Sequence, residues 1–143
     1  MWQSRFNGKS KRIKTLKRKL SPVFELTPQI RPRLLLVALT AHAELIVFGL
    51  QYHAERKAFR SCLRLNLTHQ PEFVRCTRWK QWTTPAVVAT RYAAIEQGFA
   101  GIASQLGTTD VLRLDFAATA TDATILEALL ASRIAPLVMG GSL

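Results

Sequence analysis

The side chains best equipped for chemistry in this sequence are cations interleaved with aromatics. Between residues 68 and 84 stand Arg75, Arg78, Trp79, Lys80 and Trp82, a mixture in which indole rings can stack on splayed nucleotides while the cations neutralise phosphates. Packing of both tryptophans onto their own domain accounts for the same residues without a ligand, and is the commoner fate of Trp. A second cationic cluster lies earlier. Lys9, Lys11, Arg12, Lys14, Lys17, Arg18 and Lys19 surround Ile13, Leu16 and Leu20, which form one narrow apolar stripe at helical spacing. The same composition suits a mitochondrial transit peptide or a solvated tail. The reading adopted is an RNA-binding arm, because clustered bases gain affinity by releasing counterions from phosphates.

Other chemistries find less support. Cys62, His69 and Cys76 are each separated by six residues, whereas structural zinc sites take four ligands with partners two to four positions apart. No metal is expected, and the cysteines are read as buried or half-buried thiols. Two of them are too few for a disulfide scaffold, which makes a reducing compartment the default. A two-metal nuclease needs several converging carboxylates. Of Glu96, Asp110, Asp115, Asp122 and Glu127, only Asp115 falls in an expected strand, and the first three strands offer little besides Glu44 and Glu55. Gly98 and Gly101 lie inside an expected helix, so no glycine-rich phosphate loop is present. The expectation is a binding protein: not an enzyme, with no cofactor and no small-molecule substrate.

Charge distribution sharpens this. The 143 residues carry a formal net charge of +11 and a pI near 10.7, which points to a polyanionic partner. Residues 1–24 hold eight Lys or Arg and no acid, while residues 81–143 hold three bases against five acids. With 48% apolar residues and a mean hydropathy of +0.08, most of the chain must fold around a core. Residues 1–30 are read as a basic arm and linker, the linker marked by Pro22 and Pro28, and residues 31–143 as a single α/β domain.

The elements that must position these side chains begin at Arg31-Pro32-Arg33. Pro32 disfavours helix at Arg31, so the chain enters Leu34 extended. Residues 34–39 and 44–48 are apolar and separated by Thr40-Ala41-His42-Ala43, the pattern of a hairpin. Gly49 is expected to end the second strand, with residues 49–56 a polar connection. In residues 57–67 Phe59, Ser61, Leu63, Leu65 and Leu67 alternate with Arg60, Cys62, Arg64 and Asn66, predicting a third antiparallel strand with a cationic outer face. Residues 68–84 read as a long loop. Thr83 or Thr84 caps a helix that Gly107 closes, with Val88, Tyr92, Ile95, Phe99, Ile102 and Leu106 on one face. A strand at 111–116, a helix capped by Thr121 or Asp122 with Ile125, Leu126, Leu129 and Leu130 inward, Pro136 and a short strand at 137–139 complete the chain. The expected order is β-β-β-α-β-α with a possible final strand: an antiparallel meander joined by a crossover to parallel strands, a ribonuclease-H-like topology in a mixed α/β sheet.

Residues 34–50 behind a basic flank also describe a signal anchor, in an accessory subunit of a mitochondrial membrane complex. A spanning helix needs about 20 apolar residues. Glu44 and His42 would sit near its centre at a cost of a few kcal/mol. No membrane partner is expected.

Arg31-Pro32-Arg33-Leu34, the basic arm before it, His42 at its set distance, Ala93-Ala94 with Gly98, and Leu114-Asp115 together resemble the ribosomal protein L-eighteen family of the large subunit, in a divergent mitochondrial form. The match spans nearly everything after Lys9, on short motifs. Phe116-Ala117-Ala118-Thr119-Ala120 stands where the family has a glycine- and tyrosine-rich turn, and residues 49–56 and 68–84 are longer than the family's loops. The resemblance implies a structural constituent of the mitochondrial ribosome in the matrix. Its partners would be ribosomal RNA, 5S or a substitute, and neighbouring ribosomal proteins. It also implies RNA contacts through the arm and sheet face, here Arg31, Arg33, His42, Arg60, Arg64, Arg75, Arg78, Trp79 and Lys80 beside the arm lysines and arginines. Thr90-Arg91-Tyr92-Ala93-Ala94 and residues 58–62 are similar to the small-subunit S-eleven family, whose basic, proline-containing tail has no counterpart before Leu143.

Overall fold

A computed structural model describes residues 20–108 and 110–132. The arm bases at positions 9–19, Pro136 and the expected strand at 137–139 lie outside the described residues. The described chain builds five strands and two helices: β1 (Ile30–Leu39), β2 (Leu45–His53), β3 (Ala58–Asn66), β4 (Phe73–Cys76), α1 (Pro85–Gln105), β5 (Val111–Asp115) and α2 (Asp122–Ala131). The strands form one sheet in the order β4-β3-β2-β1-β5. Every neighbouring pair is antiparallel.

The meander of the first three strands is as expected, and the class is mixed α/β. The parallel strand and the ribonuclease-H-like topology are not found. Residues 68–84, expected as a loop, contain β4, which pairs Cys76 with Cys62 and Phe73 with Leu65 along the outer edge of β3. That single added strand returns the chain to the opposite end of the sheet before α1 begins. After α1, β5 therefore enters beside β1 running the other way, with Leu114 opposite Leu35 and Leu112 opposite Val37. A strand of four residues has reversed the sense of everything that follows it.

From residue 34 to 39 β1 is apolar without a break because both of its faces are covered there. Successive side chains point to opposite faces, so Leu34, Leu36 and Ala38 join Ile46, Leu50, Phe59, Phe99 and Ala103 on one side. Leu35 and Val37 join Val47, Phe116, Ile125 and Leu129 on the other. The stripe expected on α1 packs on the first cluster, and α2 packs on the second.

The second face is completed by an unexpected element. Residues 20–26, read as part of a linker, cross the sheet as a strap, with Leu20, Val23, Phe24 and Leu26 buried in the core. Gly49 does not end β2; it makes room for this crossing. A Cβ at Gly49 would lie 1.5 Å from the Val23 carbonyl oxygen. The strap is also tied by hydrogen bonds: the buried Gln51 Nε2 donates to Pro22 O at 2.5 Å, and Arg64 Nη1 donates to Ser21 O at 2.6 Å. The face of β3 that carries Arg60, Cys62 and Arg64 is thus not an outer one, as the alternation had suggested.

Cys62 and Cys76 are joined by a disulfide across β3 and β4, not held as separate thiols. Thr77 N–H donates to Ser61 O at 2.9 Å. The cysteines one step along therefore occupy a non-hydrogen-bonded pair, where opposed Cα atoms come closest, here to 4.1 Å. Cys62 is buried and Cys76 exposed.

Gly49→Ala must displace the strap and should lower stability by about 3 kcal/mol, read as a fall in Tm. Gly98→Ala, where an added Cβ meets nothing within 4 Å, should raise stability by about 0.5–1 kcal/mol. Reducing the Cys62–Cys76 bond, whose partners are 14 residues apart, should cost about 3 kcal/mol. Amide hydrogen exchange should then quicken in β4 before it does in β1 and β2.

Candidate nucleic-acid interface

Residues 56–94 contain eight Lys or Arg and one acid, Glu72. The fold divides these bases into two groups. Arg60 and Arg64 are drawn beneath the strap. Arg60 approaches Glu25 at 3.6 Å and Gln51 Oε1 at 3.4 Å and stacks over the Trp79 ring at 4.6 Å; Arg64 pairs with Glu72. Arg56, Lys57, Arg75, Arg78, Lys80 and Arg91 are exposed and enter no ion pair with the described residues.

These exposed cations share one edge of the molecule. After Cys76 the chain continues along the outer side of β3: Lys80 and Phe59 exchange backbone hydrogen bonds of 2.8 Å, and Gln81 Nε2 donates to Arg56 O at 3.3 Å. Arg75, Arg78, Lys80 and Arg56 therefore line one border, and α1 brings Arg91 up to Lys80 around a hollow of about 230 Å3. The acids are held elsewhere. Glu96 and Asp115 flank Arg113 at 2.8 and 3.1 Å, and Asp122 pairs with Arg31. Glu55 accepts from Gln29. Glu44 accepts from Thr68 N–H at 2.6 Å, and that bond holds its carboxyl below the usual range.

The expected contact residues are thus redistributed. Arg75, Arg78 and Lys80 stand together on the cationic border. Arg31 is committed internally, to Asp122 and to Ala120 O at 3.0 Å. Arg33 Nε donates to Phe116 O at 3.0 Å, docking β1 onto the segment before α2. His42 is exposed on the β1–β2 turn, away from the border. Trp79 is half-buried between Arg60 and His53, whose ring lies 5.3 Å away; it packs its own domain.

Three residues outside the contact set that the resemblance implies matter here: Trp82, which the sequence offered only among the loop aromatics, Arg91 and Tyr92. Trp82 stacks on Phe59 with ring centres 4.5 Å apart and planes 14° from parallel, and Phe59 in turn touches Tyr52 at 4.9 Å. This aromatic row walls a groove of about 830 Å3 that is also lined by Arg33, which lies 6.0 Å over the Phe59 ring, and by Tyr92, Glu96 and Asp115. The Tyr92 hydroxyl is shielded from water and has no hydrogen-bond partner, and burial pushes its pKa up. Arg91 was legible as the only base on α1, a helix of 21 residues. Tyr92 was hidden by its place in the apolar stripe.

Among the described residues no three His, Cys, Asp or Glu side chains are grouped as a metal site, and no helix is long and apolar enough to cross a membrane. The span considered at residues 34–50 is the β1–β2 hairpin. No protein-family model, no curated protein and no solved structure matches the chain.

An unsatisfied buried hydroxyl opposes folding. Tyr92→Phe should therefore raise the stability of the free protein by about 1 kcal/mol, measured as a higher midpoint in urea unfolding.

Proposed function

We propose that this protein binds RNA as a structural component of a ribonucleoprotein and catalyses no reaction. The observation that carries the reading is the border of exposed cations, Arg56, Arg75, Arg78, Lys80 and Arg91, from which the fold has drawn away nearly every carboxylate. Such a row tracks phosphates regardless of sequence. Aromatics beside it suit single-stranded or looped RNA over a regular duplex.

The particle we favour is the mitochondrial ribosome, on its large subunit, with ribosomal RNA and neighbouring ribosomal proteins as partners. The basic arm and Arg31-Pro32-Arg33-Leu34 support it. We read the RNA contacts at the β4 border rather than on the sheet face, since α1 covers one face and the strap with α2 covers the other. The disulfide bears on compartment, since such bonds persist where the environment is oxidising. Alkylation of thiols in intact mitochondria before extraction would read its state: Cys62 and Cys76 found reduced would fit the matrix, and the bond of this structure found intact would count against it.

The cationic border is tested by Arg75→Glu, Arg78→Glu and Lys80→Glu together. All three side chains are exposed, so near-UV circular dichroism should be unchanged. Affinity for fluorescein-labelled single-stranded RNA, followed by anisotropy, should fall at least tenfold. The slope of log affinity against log salt should shrink by about 2, given about 0.7 per phosphate contact on single strands. Unchanged affinity and slope would remove the border from the reading.

A further inference from the structure

Trp82 and Phe59 form the common wall of two recesses: the groove of about 830 Å3 and the smaller hollow where Lys80 and Arg91 meet. Resting on the RNA-binding reading, we propose that the groove is a pocket for one unpaired nucleobase, whose phosphate passes over Trp82 to Lys80 and Arg91.

The two recesses differ in chemistry in the way a nucleotide does. The groove is walled by aromatic rings and closed by groups that donate and accept. Arg33 supplies a guanidinium whose Nε is bonded to Phe116 O and which lies 6.0 Å over the Phe59 ring, while Glu96 and Asp115, both paired with Arg113, keep oxygens that can accept further. Because those two carboxylates are paired with Arg113, the site carries little net charge to hold a phosphate and keeps acceptor oxygens for the ring and exocyclic N–H groups of a base. The Tyr92 hydroxyl is the missing half of a hydrogen bond: its residue lines the same groove, and it is shielded and unpaired. A base edge that displaced the side chains covering it would satisfy it. The smaller hollow holds Lys80 and Arg91 beside the hydroxyls of Ser61 and Thr77, and no carboxylate lines it. That set suits a phosphate and would repel an acidic side chain from no direction, but it has no need of a base. Stacking on the aromatic row supplies affinity without sequence preference, and the polar groups supply choice among bases.

The test uses the full chain, fluorescence anisotropy and two labelled strands of equal length and charge, one an ordinary single-stranded RNA and one an abasic ribose-phosphate chain. The ordinary strand should bind at least tenfold more tightly than the abasic one. Tyr92→Phe should lower affinity for the ordinary strand by about fivefold, the worth of one hydrogen bond, and leave the abasic strand unaffected. The triple reversal of Arg75, Arg78 and Lys80 should weaken both. Equal affinity for the two strands, or a Tyr92→Phe protein that binds both as before, would overturn the pocket while leaving the cationic border intact. Failure of both strands to bind would overturn the border and the pocket together. Saturable binding of a capped tyrosine-containing pentapeptide that ordinary RNA does not displace would assign the groove to a protein partner and also overturn the proposal.

Discussion

Val23 and Gly49 meet backbone to backbone, with no space for a side chain between them. This contact lets residues 20–26 lie flat across β2 and β3, and much of the remaining structure depends on it. Polar groups beneath the strap must find partners there. Gln51 turns to Pro22, Arg64 to Ser21 and Glu72, and Arg60 to Glu25 and Trp79. The strap thereby decides which cations are structural. Those of β3 are consumed beneath it, and those of β4 and the chain after it are left to the solvent.

The sequence displayed most of the secondary structure and misled about its assembly. Period-two alternation in β3, the continuous apolar run of β1 and the stripe on α1 are local patterns, and each became the expected element. Phe73-Val74-Arg75-Cys76 is too short and too exposed to announce itself as a strand. Its pairing is set by β3 and by the cystine, which are non-local. Missing it changed the parity of the meander and hence the direction of β5. Gly49 misled in a different way. In a strand, glycine marks either an end or a close approach of another backbone, and only the folded position of Val23 distinguishes the two.

The candidate interface was legible by residue type and not by partner. Arg31, Arg60 and Arg64 looked as available as Arg75, Arg78 and Lys80, because composition does not show which bases will have a carboxylate folded against them. Asp122 stands 91 positions from Arg31 and still pairs with it. Trp79 and Trp82 are three residues apart, yet one packs on Arg60 and the other walls the groove. Surface cations acquire meaning by subtraction, once the ion pairs of the fold have been taken away.

The strap has one further consequence, for avidity. Leu20 is fully buried and Ser21 is bonded to Arg64 on β3, so the first described residues are fixed to the strand that carries β4, and eight bases precede them in the sequence. On the RNA-binding reading proposed above, two cationic segments of one chain would not bind a long polyanion independently. With either engaged, the other would meet the same strand at an effective concentration on the order of millimolar. A pair of individually weak, salt-sensitive contacts would then hold with the persistence of a single strong one, and its release would require both to let go within the same interval.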